Sequence, residues 1–337
     1  MKKFRAWRYY GRRDLRLEEV ELRPLEDDEV LIKVEACGIC QTDVDEFMGG
    51  PKLFRPLPIT PGHEFGGKIV EVGKNVKKDL IGKIVTVTPL IFCEKCQYCK
   101  INRPNLCEKM EYYGMVGKDG GFAEYAIVKG SNVVEIDDPE IIHFGEICLI
   151  CLRLVNEANK YSRLGKKALV VGAGPVGIPT VYLLQREGWE VEICEIRDKR
   201  RSFLEKRGFK TYELLQDVPN DYYDVVIDCA GEDPLVPYAL PEEVFKVKKA
   251  GCLIVAGVYF SEAKLSIIDI LLKEVKVCSI FAYTKKELKL LKPAMEYCKD
   301  LFKRITCRVP FQDLEDALLE LETRKEEYLK LVLKYGN

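Results

Sequence analysis

Cys93, Cys96, Cys99 and Cys107 crowd into fifteen residues. Four thiolates at this spacing can close a tetrahedron around one Zn²⁺ and leave no open position, which makes such a site structural. The segment is otherwise polar (Glu94, Lys95, Gln97, Lys100, Asn102, Arg103), so four unrelated core cysteines are a poor account of it. Iron–sulfur clusters also take four cysteines, but at other common spacings. A second group has a different character. Cys40 lies beside Thr42 and Asp43, and His63 lies beside Glu64. A catalytic zinc needs about three protein ligands and one free position. Cys40 and His63 supply two, and the third must come from elsewhere. Each residue also has a plainer reading: Thr42 as a turn residue, Asp43 as a cap, Glu64 as a salt-bridge partner. Their joint placement is what points to metal chemistry. Histidine is scarce, only His63 and His143, and His143 reads as a packed surface residue.

Gly172-Ala173-Gly174-Pro175-Val176-Gly177 fits G-x-G-x-x-G. The pattern alone is weak, but here it follows an apolar strand and opens a helix, the context that dinucleotide binding requires. The first Gly makes the turn, the second admits a pyrophosphate and the third lets helix and strand pack closely. The helix N-terminus, from Pro175, Val176 and Gly177 onward, then offers free N–H groups and a positive dipole. Glu195 closes the next strand, eighteen residues beyond Gly177. A carboxylate there accepts ribose hydroxyls and repels a 2′-phosphate, which favours NAD. Arg197, Lys199 and Arg200 follow closely and can tolerate NADP. The plainer reading makes Glu195 a strand-end charge and the cations a solvated face.

These groups need two kinds of scaffold. The first 150 residues hold short alternating runs, such as Val30–Ala36, Lys68–Val72 and Lys83–Val87, punctuated by Gly and Pro, as in a β-rich domain. Near residue 165 the pattern changes. Lys167–Val171 is a continuous apolar run, as expected of a parallel strand buried on both faces. Strands at Glu190–Glu195, Asp224–Asp228, Gly251–Gly257 and Val275–Phe281 alternate with helices, including Asp198–Arg207 stopped by Gly208. That alternation predicts an α/β doubly wound parallel sheet. Asp313–Glu322 reads as a late helix and Leu329–Leu333 as a terminal strand. The chain has 337 residues, is 47% hydrophobic and 32% charged, and carries a net charge of −1. This suits a soluble protein of about two domains and gives nucleic acid no basic surface to bind. The N-terminus lacks a signal-peptide core, and the uncharged stretch Ala168–Gln185 is interrupted by Gly and Pro, so no membrane segment is expected. Fourteen cysteines in a chain expected to be cytoplasmic call for metal binding rather than disulfides. Cys194, Cys229, Cys252 and Cys278 read as small core hydrophobes.

Gly62-His63-Glu64-x-x-Gly67-x5-Gly73-x-x-Val76 resembles the signature of zinc-containing medium-chain alcohol dehydrogenases at every fixed position. The resemblance runs from the early strands to Phe281-Ala282-Tyr283-Thr284. It is nearest to the butanediol, sorbitol and threonine dehydrogenase branch, with Met48-Gly49-Gly50-Pro51, Val87-Thr88-Pro89-Leu90 and Gly121-Phe122-Ala123-Glu124-Tyr125 similar to the butanediol enzymes. It implies a β-rich GroES-like catalytic domain (1–155 and 290–337, zinc lobe at about 90–110) and a Rossmann domain (156–289). It implies Cys40 and His63 as zinc ligands, with Glu64 close to the metal, Asp43 orienting the imidazole and Thr42 on the substrate hydroxyl. Glu146 is the implied third ligand, with Cys148 and Cys151 as alternatives, although no Pro follows Glu146. Asp45 stands where many relatives carry a relay His. The implied cofactors are two Zn²⁺ per chain and NAD, with NADP possible. The implied activity is hydride transfer to or from an alcohol, diol, polyol or sugar, in a homodimer or homotetramer. A threonine dehydrogenase-like enzyme and a non-catalytic dinucleotide-binding zinc protein are the alternatives.

Overall fold

The computed structural model describes residues 3–50, 52–231, 239–323 and 328–336, so Pro51 of the Met48–Pro51 run lies outside the described residues. The chain divides into two compact units, Met1–Ile147 with Lys289–Asn337, and Cys148–Leu288.

The first unit opens with a hairpin, β1 (Lys3–Gly11) and β2 (Asp14–Glu21). Then follow β3 (Glu29–Gly38), helix α1 (Gln41–Met48), β4 (Glu64–Val72) and β5 (Ile84–Val87). Three short strands, β6 (Leu90–Ile91), β7 (Glu111–Tyr113) and β8 (Gly117–Lys118), flank the cysteine lobe with its single-turn helix α2 (Gln97–Lys100). β9 (Tyr125–Lys129) and β10 (Val133–Glu135) follow, and the chain returns near its end with β17 (Thr306–Pro310) and β18 (Lys330–Lys334). The main sheet runs β10-β5-β4-β3-β18-β17, with β9 also paired to β3. Alternation along β3 sends Val30, Ile32 and Val34 into a core that also holds Phe65, Ile69, Val85 and Phe122. Cys37 at the end of β3 and Phe65 at the start of β4 belong to that core.

In the second unit, β11 (Lys167–Val171), β12 (Glu190–Cys194), β13 (Lys210–Tyr212), β14 (Tyr223–Asp228), β15 (Val247–Val255) and β16 (Lys276–Ser279) form one parallel sheet in the order β13-β12-β11-β14-β15-β16. The order reverses beside β11, which creates the crevice where open α/β sheets bind ligands. Helices α4 (Gly177–Arg186), α5 (Asp198–Glu205), α6 (Ala239–Lys246) and α7 (Ile267–Lys273) connect the strands. The doubly wound sheet expected from the alternation is present. The expected strand at Val275–Phe281 is shorter, ending at Ser279.

Two expectations change. Helix α3 (Gly145–Ala158) was not among the expected elements, although its half-buried positions Ile150, Arg153, Asn156 and Glu157 recur at helical spacing. His143 is not at the surface: it is fully buried, its ring 4.4 Å from that of Phe144 and its Nε2 3.2 Å from Thr306 Oγ1. The Thr306 hydroxyl already donates to Phe302 O, so Nε2 carries the imidazole proton. Burial, with Lys330 and Arg308 nearby, holds His143 well below its usual pKa, and it stays neutral. Among the described residues, no helix is long and apolar enough to cross a membrane.

Glu243 on α6 is fully buried, and among the described residues neither carboxylate oxygen has a hydrogen-bond partner. Burial raises its pKa well above the usual carboxylate range, and Asp228 adds to the effect. The folded state therefore binds a proton that the unfolded state releases, so stability falls as pH rises from the ordinary Glu range to the folded pKa. Glu243→Leu should raise stability at neutral pH by about 1–3 kcal/mol, the cost of an orphaned buried polar group. It should also flatten the pH dependence in urea titrations. An unchanged pH slope would count against the assignment.

Candidate metal and coenzyme sites

The sheet register builds the first site. Gly38, at the end of β3, pairs with Glu64, at the start of β4, and with Val332 of β18. Cys40, His63 and Lys330 therefore flank one point. Cys40 is the N-cap of α1, and its backbone N–H donates to Asp43 Oδ2 at 2.8 Å. This fixes Asp43, whose Oδ1 lies 3.8 Å from His63 Nδ1. Thr42 is half-buried in the same turn, its Oγ1 3.7 Å from Cys40 Sγ. A Cys40 sulfur, a His63 ring nitrogen and a Glu64 carboxylate oxygen all lie within 4.8 Å of one another. The Glu64 carboxylate is ion-paired with the Lys330 ammonium, which also donates to Ile39 O at 2.9 Å. Both side chains are only 2% exposed. Gly38 permits this pair, since a Cβ there would meet Glu64 Oε2 and Lys330 Cε.

The electrostatics call for a cation. Four acidic side chains, Cys40, Asp43, Glu64 and Glu146, act on His63 and Lys330 in a buried space. Burial alone would lower the His63 pKa, but the Asp43 carboxylate and the Cys40 sulfur overcome it and lift it to about 10. Burial pushes Asp43 up to about 6 despite His63. Burial would also lower the Lys330 pKa, but Glu64 and Cys40 carry it above the ordinary value. These shifts mark an excess of negative groups that a divalent cation would balance. Thiolate, imidazole and carboxylate together fit zinc.

Glu146 is buried on α3, and its Oε1 accepts the Tyr112 hydroxyl at 2.9 Å. Burial raises its pKa. The close set contains Glu64 rather than Glu146. Cys148 is buried, and the Cys151 thiol donates to Val176 O at 3.3 Å. Asp45 Oδ1 accepts Gln41 Nε2 at 2.7 Å.

The cysteine lobe gathers Cys93, Cys96, Cys99 and Cys107 with all four sulfurs within 4.8 Å of one another. Backbone N–H groups of Cys93 and Lys109 point at Cys107 Sγ (3.3 and 3.4 Å), and that of Cys96 at Cys93 Sγ (3.4 Å). Such N–H···S contacts suit thiolates. Ile101 and Leu106 are exposed, so the lobe has little core of its own, and a closed metal site would supply what packing does not.

In the second unit, Gly172 has φ +90°, and its N–H donates to Cys194 O at 2.8 Å. A Cβ there would lie 2.8 Å from Ala230 Cα and strain the left-handed turn. Gly174, Pro175 and Val176 then carry the chain into α4, which begins at Gly177. Glu195 lies just after β12. Its Oε2 accepts the Ala173 N–H at 2.7 Å and its Oε1 the Arg197 N–H at 2.9 Å. The Arg197 and Arg200 guanidinium groups each stand 3.9 Å from this carboxylate. Glu195 thus ties the loop to the next strand, with its charge partly offset.

Comparison with known proteins bears on this geometry. The alcohol dehydrogenase GroES-like domain family matches residues 26–138. An alcohol dehydrogenase of Geobacillus stearothermophilus is 30% identical over 287 residues, 81% of this chain and 83% of that protein. The chain belongs to the zinc-containing medium-chain alcohol dehydrogenase family. L-galactonate-5-dehydrogenase of Escherichia coli is 32% identical over 71% of this chain and 72% of its own length. The crystal structure of 2R,3R-butanediol dehydrogenase from Bacillus subtilis aligns with a TM-score of 0.84 at 25% identity, covering 99% of this chain and all of that one. This medium-chain dehydrogenase combines the Rossmann and GroES-like folds that the resemblance implied. Lys330 and Tyr112 carried no sequence signal, because each meets its partner only through strand pairing or loop packing far along the chain.

Proposed function

We propose that this chain oxidises a secondary alcohol, vicinal diol, polyol or sugar hydroxyl, passing hydride to NAD⁺ or NADP⁺, and catalyses the reverse reduction. The observation that carries the reading is the convergence of Cys40, His63 and Glu64 in a chain of this family. In this reading Cys40, His63 and Glu64 hold the catalytic zinc, and the four cysteines of the lobe hold a second. Bound zinc supplies a Lewis acid that lowers the pKa of a substrate hydroxyl. Asp43 holds the His63 imidazole in place from behind. Lys330 orients the Glu64 carboxylate through their buried ion pair. Thr42, beside Cys40, takes the substrate proton, and Asp45 carries it toward solvent. The Gly172–Gly177 loop and the first turn of α4 bind the coenzyme pyrophosphate. Glu195 meets the adenosine ribose, and the neighbouring Arg197 and Arg200 let a 2′-phosphate be tolerated. The first unit is then the catalytic domain and the second the dinucleotide-binding domain, working in the cytoplasm.

The test is near-ultraviolet absorbance of reduced nicotinamide, with zinc-loaded protein and both coenzymes, across diols, polyols, aldoses, simple alcohols and threonine. Turnover that chelation abolishes is expected with at least one diol or polyol. Silence throughout, from protein holding both zincs, would oppose the reading.

We further propose a homo-oligomer. Ile267, Leu271 and Leu272 of α7 are 70%, 67% and 71% exposed, with Ile268, Val258 and Phe260 also open. Apolar side chains exposed on successive turns of one helix mark an association surface, and a second copy of the same surface can cover it. Leu271→Glu with Leu272→Glu should convert the oligomer to monomer in light scattering. A wild-type monomer would remove the proposal.

A further inference from the structure

Cys252 and Cys278 fall outside both metal groups. They sit on β15 and β16, adjacent parallel strands in which Cys252 stands level with Lys276, and Ile254 with Cys278. Offset by two residues, both thiols point to the same face of the sheet, and their sulfurs are 3.6 Å apart. Cys252 is fully buried, whereas Cys278 is half-buried on the strand that ends the sheet. Their surroundings differ. Cys278 Sγ lies 4.0 Å from Glu157 Oε1, and that carboxylate is paired with Lys160. The Cys252 contact lowers the Cys278 pKa, with Lys160 and Arg153 adding to it, against burial and the Glu157 carboxylate, which raise it. Contact with Cys278 and burial raise the Cys252 pKa, so Cys252 keeps its proton. The Tyr161 hydroxyl lies beside Cys252. A half-buried thiol of lowered pKa at the sheet edge, 3.6 Å from a fully buried one, is the arrangement of an attacking and a resolving cysteine.

We propose that Cys252 and Cys278 form a reversible disulfide, with Cys278 as the peroxide-reactive thiol and Cys252 as the resolving one. The Cys278 thiolate attacks one oxygen of hydrogen peroxide. The O–O bond breaks, Cys278 becomes a sulfenic acid and hydroxide leaves. The Cys252 sulfur then displaces the sulfenic hydroxyl, its proton goes with that oxygen, and water departs. In sum two thiols lose two electrons, one peroxide is reduced, and two waters form. A disulfide needs its sulfurs at about 2.05 Å, so from 3.6 Å the diagonal pair closes only with a small shift of the edge strand β16 toward β15. The bond staples β16 to β15. It lies on the opposite face of β15 from Leu253, which packs with Ile270 of α7, so the proposed oligomer surface does not cover it.

The experiment treats zinc-loaded full-length protein with stoichiometric hydrogen peroxide, alkylates the remaining thiols and maps the peptides. A peptide linking Cys252 to Cys278 is expected, and dithiothreitol should return both thiols while zinc stays bound. In Cys252→Ser, a sulfenic acid at Cys278 should be trapped by dimedone. Hydrogen exchange at β16 should slow in the oxidised protein. Oxidation confined to the exposed Cys307 or to the zinc lobe, with Cys252 and Cys278 both still alkylated in the wild type, would overturn the proposal. So would Cys278 oxidising past the sulfenic acid without the link.

Discussion

Replacing Cys40 with Ser, or His63 with Ala, should lower kcat by roughly 10³-fold or more, because each change removes the several kcal/mol that a correctly held Lewis acid takes off the barrier. The loss should come with one metal released per chain, since the four-cysteine lobe is a separate group. Far-ultraviolet circular dichroism should stay unchanged, because neither side chain belongs to the packed core around Phe65 and Ile69. Asp43→Asn provides the graded companion. It keeps the cap to the Cys40 N–H but weakens the carboxylate behind His63, and contacts of that kind cost about 10–100-fold in metal affinity or activity. Steady-state kinetics with metal analysis of each variant checks both statements. A His63→Ala protein with wild-type kcat would refute the site, and loss of both metals would mean that the lobe and the site are not independent.

Much of this was legible because it is local. The glycine loop declares itself through spacing and a preceding apolar strand, and the structure places Gly172 and Gly177 at the end of β11 and the start of α4. The four cysteines are close in sequence and remain close in space. Cys40 with Asp43 is one helical turn. What the sequence could not show depends on pairing. The resemblance put Glu64 close to the metal, but its join with Cys40 rests on β3 and β4 pairing with Gly38 opposite Glu64, and no spacing rule reports a register. Lys330 begins an apolar strand of the kind that any sheet interior uses, and only its pairing beside β3 brings the ammonium to Glu64. His143 looked like a surface residue because it follows a charged stretch, yet Phe144 and Phe302 stack within 4.0 Å beside it and close that region to water.

Lys330→Met is expected to destabilise the zinc-free protein by about 3–5 kcal/mol, because it leaves the Glu64 carboxylate buried without its partner. Glu64→Gln added to it should recover most of the loss, since a neutral amide has no charge to compensate. The size of the effect with metal present then decides a chemical question. Where Glu64 ligates the zinc, the dication takes over part of the lost attraction, and Lys330→Met costs clearly less in the loaded protein than in the stripped one. Where Glu146 holds the metal instead, the dication acts on Glu64 only through space, and the two costs lie closer together. Urea titrations of four proteins (wild type, Lys330→Met, Glu64→Gln and the double variant), each with and without zinc, form the cycle. The geometry favours the first outcome, because Glu64 lies within 4.8 Å of both Cys40 and His63 while Glu146 is held by the Tyr112 hydroxyl. A cost near zero in both states would show that the buried ion pair adds nothing, and Lys330 would lose its place beside the metal.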